Sequence, residues 1–267
     1  MKKLLKLLPF LGLLLCIRPA YATGFTHAQA SGLANATAGS PYTLGALLGT
    51  NPATGDLVCA HIAVQGTGTL TFFRDSNSNT YTITPKSSNH VATTTYANEF
   101  LVYLYPAPSN ATGTFTMATS NNSQVIVIID DFTVTGGTAA FVNDFIGNGT
   151  AATSPSTTPT VTPSATGNLL YAGINGSGHT LTGVGGGWTE NSGGVTAQND
   201  SDAAYILSSG VSGVAVAFTW TGSRQYNAMG MAFSFTASGG RGGSGIGGKA
   251  GIGGKSGFGY WNRRSRK

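Results

Sequence analysis

The chain has 267 residues, of which only 9% are charged, with 14 Lys and Arg against nine Asp and Glu. So small a supply of charged, straight-chain residues excludes long amphipathic surface helices and coiled coils, which are built from them. The charges are also sorted by position: residues 1–22 and 238–267 carry bases and no acid, and all nine acids lie between them.

Residues 1–22 open with Lys2, Lys3 and Lys6, continue through an apolar run over 7–17, and close on Ala20-Tyr21-Ala22. A positive start, a short apolar core and a small-x-small end predict a secretory signal peptide cleaved before Thr23. The apolar run is shorter than the roughly 20 residues of a membrane-spanning helix, and no later stretch reaches that length. Leu15 stands where a lipid-attachment signal around Cys16 wants a small side chain, so ordinary cleavage is expected. Cleavage leaves Cys59 as the one cysteine, without an internal disulfide, and the alternation of its surroundings reads it as a buried strand residue.

The body, 23–237, is rich in Thr, Ser, Gly, Asn and β-branched residues and holds Arg74, Lys86 and Arg224 as its only bases. Strands are expected at 57–64, 69–73, 80–84, 100–105, 113–118 and 125–134, then at 168–174, 187–191, 203–207, 215–220 and 228–236. Turn-forming clusters such as Asp75-Ser76-Asn77-Ser78-Asn79 separate them. Many short strands with polar turns predict an all-β fold, an antiparallel, jelly-roll-like β-sandwich.

The body also reads as two related halves, about 45–136 and about 158–237. Ala53-Thr54-Gly55-Asp56-Leu57-Val58 is echoed by Ala165-Thr166-Gly167-Asn168-Leu169-Leu170, and four later landmarks follow in the same order. A Pro/Thr-rich connection over 153–164 joins the halves. One sandwich made of two halves is favoured, with two small separate sandwiches as the alternative.

The stretches 54–58, 75–81 and 101–106 together resemble a broad group of secreted bacterial and phage-associated β-sandwich proteins. Their halves look like "Thr-Gly-Asp-Leu-Leu-Val", then "Asp-Ser-x-Gly-Asn-Thr-Tyr", then a strand with "Trp/Tyr-Tyr-Ala". The resemblance implies a jelly-roll-like sandwich on the cell exterior and carries no catalytic residue with it.

Several residues stand out as candidates for chemistry. Glu99 and Glu190 are the only glutamates, each next to aromatic residues, and would serve glycoside hydrolysis if they faced one groove. Trp188 and Tyr226, at a strand end and in a loop, are the candidates for stacking on a glycan. Acceptor clusters at 75–79, 130–131 and 199–202 suit turns, and calcium is the one cofactor they could take, although 75–86 lacks the EF-hand glycine and glutamate. The four histidines are scattered without metal spacing, so no metal is expected. The glycines at 183–187 follow no nucleotide-binding pattern and are read as a flexible loop.

The last segment, 238–267, is glycine-rich, poor in aliphatic residues, and carries Arg241, Lys249, Lys255, Arg263, Arg264, Arg266 and Lys267. Such a segment has too little apolar surface to fold and is expected to be disordered. On an exported protein its partners would be anionic envelope polymers or lipid head groups rather than nucleic acid. The combined expectation is an exported, non-enzymatic surface or matrix protein serving adhesion or assembly, with self-association through sheet edges. A glycan-binding module or a carbohydrate-active enzyme using Glu99 and Glu190 is the alternative.

Overall fold

A computed structural model describes residues 24–36, 41–87, 98–152, 160–161, 168–176, 181–191, 201–209, 214–215, 217–220 and 224–238. The expected signal peptide, the expected basic tail from 239 onward and most of the 153–164 connection lie outside the described residues.

The described chain is all-β. It runs through β1 (Gly24–Ala36), β2 (Tyr42–Ala46), β3 (Leu57–Val64), β4 (Leu70–Asp75), β5 (Thr82–Ile83), β6 (Asn98–Leu104), β7 (Thr114–Thr119) and β8 (Val125–Thr135). It continues with β9 (Gly137–Ala152), β10 (Thr160–Val161), β11 (Asn168–Gly176), β12 (Leu181–Gly185), β13 (Thr189–Glu190), β14 (Ser201–Ser209), β15 (Val214–Ala215), β16 (Ala217–Trp220) and β17 (Arg224–Ala237). The expected strand at 57–64 matches β3 residue for residue. Strands β1, β2, β9, β10 and β12 lie outside the expected set: β1 and β9 are Gly-, Ala- and Thr-rich without sustained apolar alternation, and in β2 the alternation spans only Tyr42-Thr43-Leu44.

Two five-stranded antiparallel sheets form the centre. The first inner sheet has the order β1-β8-β3-β6-β5, and the second, read in the same sense, β9-β17-β11-β14-β13. The same order of strands thus occurs twice. A three-stranded outer sheet, β2-β7-β4, covers the first inner sheet, and the pair β12-β16 lies over the second; β10 and β15 form a further two-stranded pair. The 183–187 stretch read as a loop is in part β12, with its turn at Gly186 and Gly187, both at positive φ.

Strand parity stacks these layers. On β3 all eight positions are buried, because the sheet is covered on both faces. Val58, Ala60, Ile62 and Val64 point into the outer core with Phe73, Phe115 and Met117. Leu57, Cys59 and Ala63 point the other way, into a core shared with Leu169, Tyr171, Met229, Met231 and Phe233 of the second inner sheet. A third core, around Leu170, Ile174, Trp188, Phe218 and Tyr226, lies under β12-β16. Each fully buried large apolar side chain contributes about 1.5–3 kcal/mol, so stability resides in the three interlayer cores.

The chain crosses from the first inner sheet to the second at Gly136-Gly137. Gly136 has φ 75°, and a Cβ on Gly137 would lie 2.2 Å from the Thr236 carbonyl oxygen, so the crossing needs glycine at both positions. The long edge strand β9 is partly capped from the first half. Tyr105 Oη accepts from the Ala139 amide at 2.8 Å, and Lys86 Nζ donates to the Asp144 carbonyl at 2.7 Å. Occupied edge groups and a lysine are devices that oppose pairing with another chain.

Candidate functional site

Most of the body's ionisable side chains turn inward and meet across strands that are distant in sequence. Glu99, on β6, pairs in register with Ala63 and so faces the layer between the inner sheets. There its Oε1 lies 3.5 Å from Nε2 of His61, and both side chains are fully buried. Burial pushes the Glu99 carboxyl above its usual range, with His61 opposing the shift.

A second acid–histidine pair lies in the same layer. His27 Nε2 of β1 is 2.8 Å from Asp130 Oδ1 of β8, and Asn191 Nδ2 donates to Asp130 Oδ2 at 2.7 Å. The His27 ring stacks on Tyr205 at 4.6 Å and meets the edge of Phe132 at 5.3 Å. Asn191 and Tyr205 belong to the second inner-sheet region, so this polar cluster ties the two sheets together. Desolvation raises the Asp130 carboxyl despite its bonds to His27, Tyr171 and Asn191. Its chain neighbour Asp131 points the opposite way, accepts from Gln29 Nε2 at 3.0 Å, and is pushed up to about 6 by burial.

Glu190 does not meet Glu99. It pairs in register with Ala204, whose side chain belongs to the core under β12-β16, so the second inner sheet separates the two glutamates. The partner of Glu190 is Asp202, whose carboxyl is raised to about 9, by burial first and then by Glu190 beside it. The two carboxyls lie side by side. Glycoside hydrolysis needs them about 5–9.5 Å apart, around the reacting centre.

Trp188 and Tyr226 face this same layer, but as core residues, 6% and 3% exposed. The expectation of a stacking platform is therefore corrected. The chain turns at Gly186-Gly187 and swings Trp188 inward, while Tyr226 lies within β17 rather than in a loop. Asp202 belongs to the acceptor cluster noticed in the sequence. Its pairing with Glu190, like that of His61 with Glu99, arises from register and layer packing and has no local signal.

The 75–79 cluster is a closed turn. Asp75 Oδ1 accepts from the amides of Asn77 at 3.0 Å and Asn79 at 2.9 Å; Oδ2 accepts from Asn79 Nδ2 at 2.7 Å and the Thr112 amide at 3.0 Å. Four N–H donors point at the oxygens a calcium ion would need. Among the described residues no three His, Cys, Asp or Glu side chains gather as a metal site. Cys59 is fully buried, and its thiol is pushed up by burial and by Asp130 and Asp131, the opposite of an activated nucleophile. Arg241, Lys249, Lys255, Arg263, Arg264, Arg266 and Lys267 lie outside the described residues.

No protein-family model matches the chain, and no curated protein matches it. Two solved structures are similar to it in part. The major capsid protein P2 of bacteriophage PM2 is 7% identical, with 79% of this chain and 100% of that chain covered at a TM-score of 0.25. The PBSX exported protein XepA is 12% identical, with 78% of this chain and 86% of that chain covered at a TM-score of 0.21. Likeness of this degree carries no statement about ligand or role.

Proposed function

We propose that this protein is an exported, non-enzymatic structural element: a layered β-stack that displays loops, held to anionic envelope material by its basic C-terminal segment. One observation carries the reading. Among the described residues, Glu99, His61, Asp130, Asp202, Trp188 and Tyr226 are directed into the interlayer cores, where Glu99, Asp130 and Asp202 are each 0% exposed. Groups so committed serve cohesion between sheets. The 238–267 segment supports the attachment half of the reading, with seven bases and no acid in a glycine-rich context.

The test is co-sedimentation with vesicles containing phosphatidylglycerol, comparing the chain from Thr23 to Lys267 with one ending at Ala237. The longer chain is expected to sediment at low salt and to be released near 1 M salt, where the screening length falls to about 3 Å. Equal sedimentation of both chains would remove the tail from the proposal. Self-association through β1 extends the same reading. This 13-residue edge strand carries no Lys, Arg, Asp, Glu or Pro.

A further inference from the structure

The inner layer contains a second feature, distinct from the His27–Asp130 cluster. Its two sheets run in the same sense: Phe132 packs on Tyr205 at 5.3 Å, and Asp130 is bonded to Asn191, whose amide pairs with Ala203. The row Ala63–Glu99–Ile126 therefore lies at the same end of the layer as the ladder row Asn175–Ser201–Asn227. Register sets the direction of that row. Asn175 is two residues beyond Gly173, which touches His61, and Ser201 and Asn227 are two residues from Ala203 and Met229 of the shared core.

His61, Glu99, Asn175, Ser201 and Asn227 are each at most 2% exposed. Beside the His61 Nε2–Glu99 Oε1 contact at 3.5 Å, seven of their side-chain atoms have no hydrogen-bond partner among the described residues: Nδ1 of His61, Oε2 of Glu99, both polar atoms of Asn175 and Asn227, and the Ser201 hydroxyl. Buried polar atoms are nearly always satisfied, and leaving seven bare would cost about as much as the whole net stability of a typical domain. Ala63 and Ala203, which face the same layer, have small side chains, and at Gly173 the His61 ring takes the place of a side chain.

We propose that this end of the layer is a buried polar chamber that holds small neutral hydrogen-bonding molecules, in aqueous solution a cluster of waters cross-linking the two inner sheets. The lining supplies donors and acceptors together, amide nitrogens and oxygens beside a hydroxyl and an imidazole, as a water cluster requires. Burial holds the Glu99 carboxyl toward its protonated form, which suits a neutral occupant over a cation.

A high-resolution crystal structure of the mature chain tests this directly. Solvent density within hydrogen-bonding reach of at least two of the five side chains is expected. Side chains bonded directly to one another with no density between them would overturn the proposal, as would an anomalous peak marking a metal ion. Magnetic relaxation dispersion of water gives an independent measure in solution. The Ser201→Ala and Asn175→Leu variants are expected to lose long-lived internal waters while keeping the wild-type circular dichroism. A wild-type signal showing no long-lived waters would sink the idea without reference to any variant.

Discussion

The imidazole of His61 rests on the bare Cα of Gly173: a Cβ built at that glycine would lie 2.3 Å from both Cγ and Cδ2 of the ring. The contact joins the middle strands of the two inner sheets, so it sets how closely they approach. Gly173→Ala is expected to destabilise the protein by about 1–3 kcal/mol, the usual cost of overpacking a core. Urea unfolding should show the loss, and adding His61→Ala should make the pair less than additive, since the clash disappears with the ring. A neutral Gly173→Ala variant would contradict the placement of the two sheets.

Stability should fall as pH rises. Asp56, Glu99, Asp130, Asp131 and Asp202 all have carboxyls raised by burial in the fold, Asp131 to about 6 and Asp202 to about 9. In the unfolded chain the same groups release their protons near pH 4. Between that pH and the folded value the native state binds more protons, so each unit of pH favours unfolding. The contribution is present below about pH 4 and is lost by about pH 6 for Asp131 and about pH 9 for Asp202. Melting temperatures from pH 5 to 9 should decline, and Asp202→Asn should flatten the alkaline part of the curve. A melting temperature that rises through this range would refute the assignment.

The Asp75 turn is expected to work without calcium. Its carboxylate already accepts four N–H groups. Adding EDTA or millimolar calcium should leave the melting temperature unchanged. Asp75→Ala should lower stability by about 3 kcal/mol, because those donors are then left without acceptors. A calcium-dependent rise in melting temperature would overturn this account.

Trp188→Ala should act on stability before it acts on any ligand. The ring is in the core under β12-β16, and removal of a buried Trp typically costs about 3–5 kcal/mol. Denaturant titration of the variant measures this. A fully stable variant with selectively lost glycan affinity would restore the ring as a recognition element.

Cys59 should be inert in the folded protein. It is fully buried, and its thiol is raised well above the usual range. A thiol reagent such as DTNB should label it only in denaturant, at the rate of unfolding. Rapid labelling in native buffer would show that the inner layer opens.

The sequence made some elements legible and left others opaque, for reasons the layers explain. The β3 and β8 strands are mostly apolar, and β8 opens on the β-branched run Val125–Ile129, because the first inner sheet is covered on both faces; both are legible in the sequence. The edge strand β9, with its run of Gly, Ala, Thr and Asn, shows no period, because it owes its conformation to thirteen register partners on β17. The candidate residues divide in the same way. Glu99 and Glu190 were conspicuous as the only glutamates, but their partners, His61 and Asp202, depend on register. Trp188 and Tyr226 were conspicuous as aromatics, and which way they turn depends on an outer layer formed by β12 and β16.

Composition, alternation and turn chemistry are properties of neighbouring residues, so the chain alone determined its all-β class, the position of most strands and the segregation of its charge. Which face of each strand is covered depends on another sheet, often more than a hundred residues away, as Tyr205 is from the His27 ring it stacks on. Packing of one layer on the next therefore decided that the aromatics are core, that a sheet divides the two glutamates, and that the buried acids find histidine or each other. A strand's parity is written in its sequence, but the identity of what lies above and below it is a property of the assembled stack.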